Sequence, residues 1–119
     1  MRSHFLSKLP ITGKERVLEK IPNFDFYNLD HIEQINLKRV DDGFDLELKA
    51  LYKGESALIG LRFVNVQLIK FPEMQPSFYL SELEIEDMSG SQIEGVKYRA
   101  NNYGMTQFEV LSRDMEIAI

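Results

Sequence analysis

Between Phe44 and Tyr52 the chain alternates with a period of two: Phe44, Leu46, Leu48, Ala50 and Tyr52 are apolar, while Asp45, Glu47 and Lys49 occupy the positions between. Successive side chains of an extended strand point to opposite faces, so this pattern specifies a half-buried β-strand with one dry and one wet face. Other segments obey the same rule. Ile35–Val40 reads as a strand, and Asp41-Asp42-Gly43 is a turn that joins it to 44–52 as a hairpin. Residues 78–86 place Tyr79, Leu83 and Ile85 on one face and Glu82, Glu84 and Glu86 on the other. Val96, Tyr98 and Ala100 share a face of a further strand, and 106–111 and 115–119 close the chain as β-structure. Turn signals every eight to twelve residues or so, without a βαβ rhythm, predict an all-β, mostly antiparallel fold: a sandwich or partly closed barrel of six to eight strands.

Residues 57–71 are the most apolar stretch and, at fifteen residues, exceed an ordinary strand. Asn65 is expected to mark a bulge or a corner between sheets. Gly60 and Gly95, placed within strands, suggest bulges or close contacts. The first thirty residues are less regular, broken by Pro10, Gly13 and Pro22. A short helix is expected through 16–20, with Thr12 as its N-cap and Glu15 as the capping-box partner. With 119 residues and no linker, repeat or low-complexity tract, the chain reads as one domain: an irregular segment 1–30 and a β core 31–119.

Several function classes are set aside by composition. There is no cysteine, so thiol nucleophiles, disulfides and zinc–thiolate sites are excluded. No run approaches a membrane span and the first residues lack a signal-peptide core, so a cytoplasmic, non-membrane protein is expected. The net charge is −5, unevenly placed: residues 1–40 hold seven Lys/Arg and five Asp/Glu, whereas 41–119 hold seven and fourteen. Nucleic acid is therefore an unsuitable partner, and a basic protein surface a suitable one. The dispersed glycines form no phosphate-binding loop, and neither His4 nor His31 accompanies a nucleophile motif. No catalytic, cofactor or metal residues are assigned.

The sharpest charge feature is the stripe Glu82, Glu84, Glu86, extended by Asp87. It reads either as a solvated outer face or as a docking surface for a basic partner. With Tyr103, whose residue type is enriched in interfaces, these residues form the candidate partner-binding site. In a second reading the protein is a small-molecule-binding or enzymatic barrel with Arg62 or Arg99 pointing into a polar cavity. In a third it is a homo-oligomer that pairs through the edge of its last strand, Ile117-Ala118-Ile119.

The segment Ile59-Gly60-Leu61-Arg62-Phe63-Val64-Asn65-Val66, an apolar strand entering an Arg-Phe-x-Asn-Val corner, resembles small all-β bacterial proteins, some of which look like immunity proteins that neutralise a toxin of the same cell. The resemblance covers residues 31–119 and implies an acidic, cytoplasmic, single-domain binder without catalysis.

Overall fold

In the computed structural model, the residues described are 2–41, 43–71, 80, 82–90, 94–102 and 108–119. Among these residues seven strands form one antiparallel sheet: β1 (Arg2–Ser3), β2 (Leu29–Val40), β3 (Gly43–Tyr52), β4 (Ala57–Lys70), β5 (Leu83–Asp87), β6 (Tyr98–Asn102) and β7 (Glu109–Ala118). Their spatial order is β1-β5-β6-β7-β4-β3-β2. Two meanders, β2-β3-β4 and β5-β6-β7, therefore meet where β4 pairs with β7. Among the described residues the sheet does not close, and its two edges are β1 and β2. The all-β, antiparallel expectation is borne out as a single open sheet, and of the bulge or corner expected at Asn65 the structure has the bulge, within β4.

That bulge explains the unusual length of β4. Phe44 pairs with Val66 and Leu46 with Phe63, so two β3 steps oppose three β4 steps. Asn65 takes the left-handed conformation at φ 53°, which an Asn tolerates better than most residues. A second irregularity lies between Val66 and Leu68 against β7. With these two extra residues a fourteen-residue strand keeps Ile59, Leu61, Phe63, Val66 and Ile69 in or against the core. Gly60 shows no bulge. It pairs regularly with Lys49 and Ala118, and a Cβ built on it would meet only the Ala118 carbonyl oxygen at 3.9 Å.

The inner face carries Leu46, Leu48, Ala50 and Tyr52 of β3, Ile59, Leu61 and Phe63 of β4, Ile85 of β5, Tyr98 and Ala100 of β6, and Val110, Met115 and Ile117 of β7, all buried. A one-sheet protein must cover such a face, and here the N-terminal segment does so. Leu6, Leu9, Ile11, Val17, Ile21, Phe24 and Phe26 are each at most 7% exposed and join the same core. Burial of side chains of this size stabilises by roughly 1.5–3 kcal/mol each. Phe24 stacks on Tyr52 (centroids 4.7 Å) and meets Phe26 edge-on at 5.2 Å. The buried Tyr98 hydroxyl donates to the Pro10 carbonyl at 2.9 Å, tying this cover to β6.

The helix α1 (Lys14–Lys20) forms as the sequence predicts, but its cap differs. Gly13, not Thr12, holds the N-cap position at φ 91°, and no side chain caps the helix. Thr12 forms a parallel bridge with Glu116, and its carbonyl accepts the Ile117 amide at 2.9 Å. The approach is so close that a Cβ on Gly13 would lie 2.2 Å from the Ile117 carbonyl oxygen. Docking to β7 has displaced the capping box because the bridge places the Thr12 backbone against β7.

Candidate interaction surface

Glu84 and Glu86 of the acidic stripe lie on the outer face of β5, as the alternation predicts, with Leu83 and Ile85 buried beneath them. The charges of Glu84 and Glu86 are matched within the molecule. Arg2 of β1 approaches both Glu84 and Glu86 at 3.8 Å, and Arg99 of β6 approaches Glu86 at 3.6 Å. Arg99 Nε also donates to Glu109 at 2.7 Å, and Lys70 reaches the same carboxylate at 3.7 Å. Three carboxylates thus face three cations across five neighbouring strands. Tyr27 adds a hydroxyl donated to Glu84, which pushes the tyrosine pKa up to about 12. Asp87 accepts the Ser89 amide at 2.9 Å, a bond that holds its carboxyl below the ordinary range. Glu82 stands exposed just before β5 at φ 54°. Tyr103 and Tyr79 lie outside the described residues.

Arg62 and Arg99, the residues expected inside a barrel, both project from the outer face. Arg62 donates to Asp45 at 2.9 Å and to Glu116 at 3.1 Å, with Glu47 at 3.9 Å. Asp45 is 6% exposed and also accepts the Asn65 amide at 2.9 Å, so this carboxylate fastens the β4 bulge to β3. The carboxylates around it push the Arg62 guanidinium pKa upward, with the Asp45 hydrogen bond the largest cause. Beside Arg62 is an open trough of about 450 Å³, floored by Gly60 and rimmed by Thr12, Glu47, Lys49 and Glu116. It lies on the outer face, not within a barrel interior. Among the described residues no three His, Asp or Glu side chains are grouped to hold a metal ion, and no helix is long and apolar enough to cross a membrane.

A cluster at the β1 edge joins both histidine-bearing and acidic segments. His4 Nδ1 lies 2.6 Å from Asp25 and the ring stacks on Tyr27 at 3.9 Å. Asp25 also accepts the Tyr27 amide at 2.9 Å, and its own amide donates to the Tyr52 hydroxyl at 3.0 Å. These bonds anchor the N-terminal cover to the sheet. His31 is on β2, 3.7 Å from Asp30.

The least covered part of the molecule is the far end of the β2–β3 hairpin. Every residue from Glu33 to Arg39 is exposed. Register places Ile35 opposite Leu48 and Leu37 opposite Leu46, so both project from the core side of the sheet. They nevertheless remain 36% and 52% exposed, and Phe44 beside them 40%. The N-terminal cover stops short of this end. Arg39 lies over the Phe44 ring, 6.0 Å from its centroid. β2 is also a sheet edge, so alternate backbone amides and carbonyls along it face away from β3. The Asp30 carbonyl, near its start, accepts the Leu80 amide at 3.0 Å. The other edge, β1, is only two residues long. The last strand, expected as a pairing edge, is internal: β7 lies between β4 and β6, and Thr12 bridges it beyond the end of β6.

An open antiparallel sheet with one covered face and one long edge of this kind defines the class by shape alone. No known protein family, curated protein or solved structure matches the chain.

The sequence pattern gave Ile35 and Leu37 as strand residues, but their exposure depends on where β2 falls in the sheet. That order is set by long-range pairing and has no local signature. The signal available was the run of polar residues around two apolar ones, Glu33-Gln34-Ile35-Asn36-Leu37-Lys38-Arg39.

Proposed function

We propose that the protein is a non-catalytic protein-binding module and that its contact surface is the exposed end of the β2–β3 hairpin. One observation carries the reading: an edge strand exposes Ile35 and Leu37 on the core side of the sheet, next to an exposed Phe44. Adding a strand to an open edge satisfies backbone groups, while side-chain pockets supply specificity. Natural edges are ordinarily blunted by charge or bulges, and β2 has such features in Lys38 and in the irregularity at Glu33. An edge guarded only against pairing has no use for two uncovered aliphatic side chains.

The stripe Glu82, Glu84, Glu86 and Asp87 has a smaller part in this reading, since Arg2 and Arg99 offset two of its charges. The overall charge of −5 still favours approach of a basic partner. Neutralisation of a toxin, which the sequence resemblance implies, is one form that such binding would take.

Capture from an extract of the native host tests the assignment. A protein retained by the wild type and lost with Leu37→Lys supports the hairpin surface. A protein retained by Leu37→Lys but lost with Glu82→Lys would move the contact to the acidic side.

A further inference from the structure

The exposed run of β2 is complementary to itself. Read antiparallel about Asn36, Glu-Gln-Ile-Asn-Leu-Lys-Arg sets Ile35 opposite Leu37, Gln34 opposite Lys38 and Glu33 opposite Arg39. We infer that the occupant of this edge is a second copy of the chain, paired β2 to β2 about a two-fold axis through Asn36. This rests on the protein-binding reading above and names its partner.

A two-fold axis normal to the sheet keeps the inner face of one copy continuous with the inner face of the other. Directly opposed residues must then share a face, which confines the axis to a residue position and excludes one between residues. An axis at Ile35 would oppose Glu33 to Leu37. An axis at Leu37 would oppose Ile35 to Arg39. Both put a charge against an aliphatic side chain in each half. Only the Asn36 axis joins apolar to apolar and acid to base.

The three-dimensional structure supplies the remaining conditions. β2 is the outermost strand, and Leu37 and Ile35 are accessible. From Gln34 to Val40 its pairing with β3 is regular, so this half of the strand is straight enough to receive a neighbour. Glu33 is the extra residue of the irregularity between Ile32 and Gln34, and its exposed side chain lies beyond the regular ladder, where the partner copy's Arg39 would reach it. Such an interface is isologous: every pair except Asn36 with Asn36 occurs twice.

Analytical ultracentrifugation of the full chain over micromolar concentrations tests this, with circular dichroism confirming the fold of each variant. The wild type is expected to be a dimer. Arg39→Glu and Glu33→Arg each place like charges at two symmetric positions and should weaken self-association by roughly tenfold. The double variant Glu33→Arg, Arg39→Glu restores both pairs and should recover most of that loss. Leu37→Lys should give a monomer.

A wild type that stays monomeric throughout, a dimer indifferent to all four variants, or a double variant no better than the singles would each overturn the pairing. The wider reading has its own measure in hydrogen exchange of the β2 amides. A monomer whose β2 amides gain protection only when a different captured protein is bound overturns self-pairing and leaves the binding surface in place. A monomer whose β2 amides stay unprotected with every captured protein overturns both.

Discussion

The Asp45 carboxylate receives the Arg62 guanidinium at 2.9 Å through one oxygen and the Asn65 amide at 2.9 Å through the other. A side chain on β3 thereby fixes the bulge in β4, and with it the registers on both sides of that strand. Asp45→Ala would leave a backbone amide without its acceptor and is expected to cost about 1–3 kcal/mol in a urea unfolding curve. Asp45→Asn, which can still accept from Asn65, should lose less.

Two glycines provide a contrast in the same measurement. Gly13→Ala forces a Cβ to within 2.2 Å of the Ile117 carbonyl oxygen at φ 91°, so the N-terminal cover must lift from β7. A loss of about 2 kcal/mol or more is expected. Gly60→Ala meets nothing closer than 3.9 Å in extended backbone, and its effect should stay within about 0.5 kcal/mol or favour the folded state.

Alkaline stability depends on Tyr27. Its hydroxyl donates to Glu84, and its pKa in the folded protein is about 12 against an ordinary 10.0. Above the ordinary value the unfolded chain releases a proton that the folded protein still holds, so folding loses ground as pH rises. The contribution is complete below about pH 10, declines between about 10 and 12, and is absent above that range. Tyr27→Phe should flatten this part of the stability profile and remove one late-titrating phenol from an ultraviolet difference titration.

Glu82→Gly separates charge from structure in the acidic stripe. Glu82 adopts φ 54°, a conformation glycine reaches without strain, so the variant should be as stable as the wild type or more so by up to about 1 kcal/mol. Glu86→Gln breaks pairs with Arg2 and Arg99 whose members are all partly exposed, and should cost under about 1 kcal/mol. If the hairpin is the contact surface, neither substitution changes the equilibrium affinity for a captured partner, as read by titration calorimetry.

Much of this architecture was legible because alternation is a local property. Leu83 and Ile85 inside with Glu84 and Glu86 outside follow from spacing alone, as do the buried Leu46, Leu48 and Ala50. Phe44 begins the same series yet stays 40% exposed, because it pairs beyond the bulge, past the reach of the N-terminal cover. The stretch 57–71 is too long for an ordinary strand because a bulge is silent in composition; only the Asn at 65 hints at it. Thr12 lost its cap to a bridge with a residue more than a hundred positions away. The stripe's cations, Arg2 and Arg99, likewise come from distant parts of the chain. Contacts of that range leave no mark in a window of ten residues.

The bond between Thr12 and Ile117, with that of Tyr98 to Pro10, has a kinetic corollary. The covering segment cannot settle until β7 has been added to the sheet, since the surface it shields includes that strand. Loop closure over nearly the entire length must precede the final packing, which makes assembly a late, concerted event with slow, sheet-like kinetics. Until that moment Leu6, Phe24 and Phe26 have no shelter, and a nascent or refolding chain carries them exposed to its neighbours.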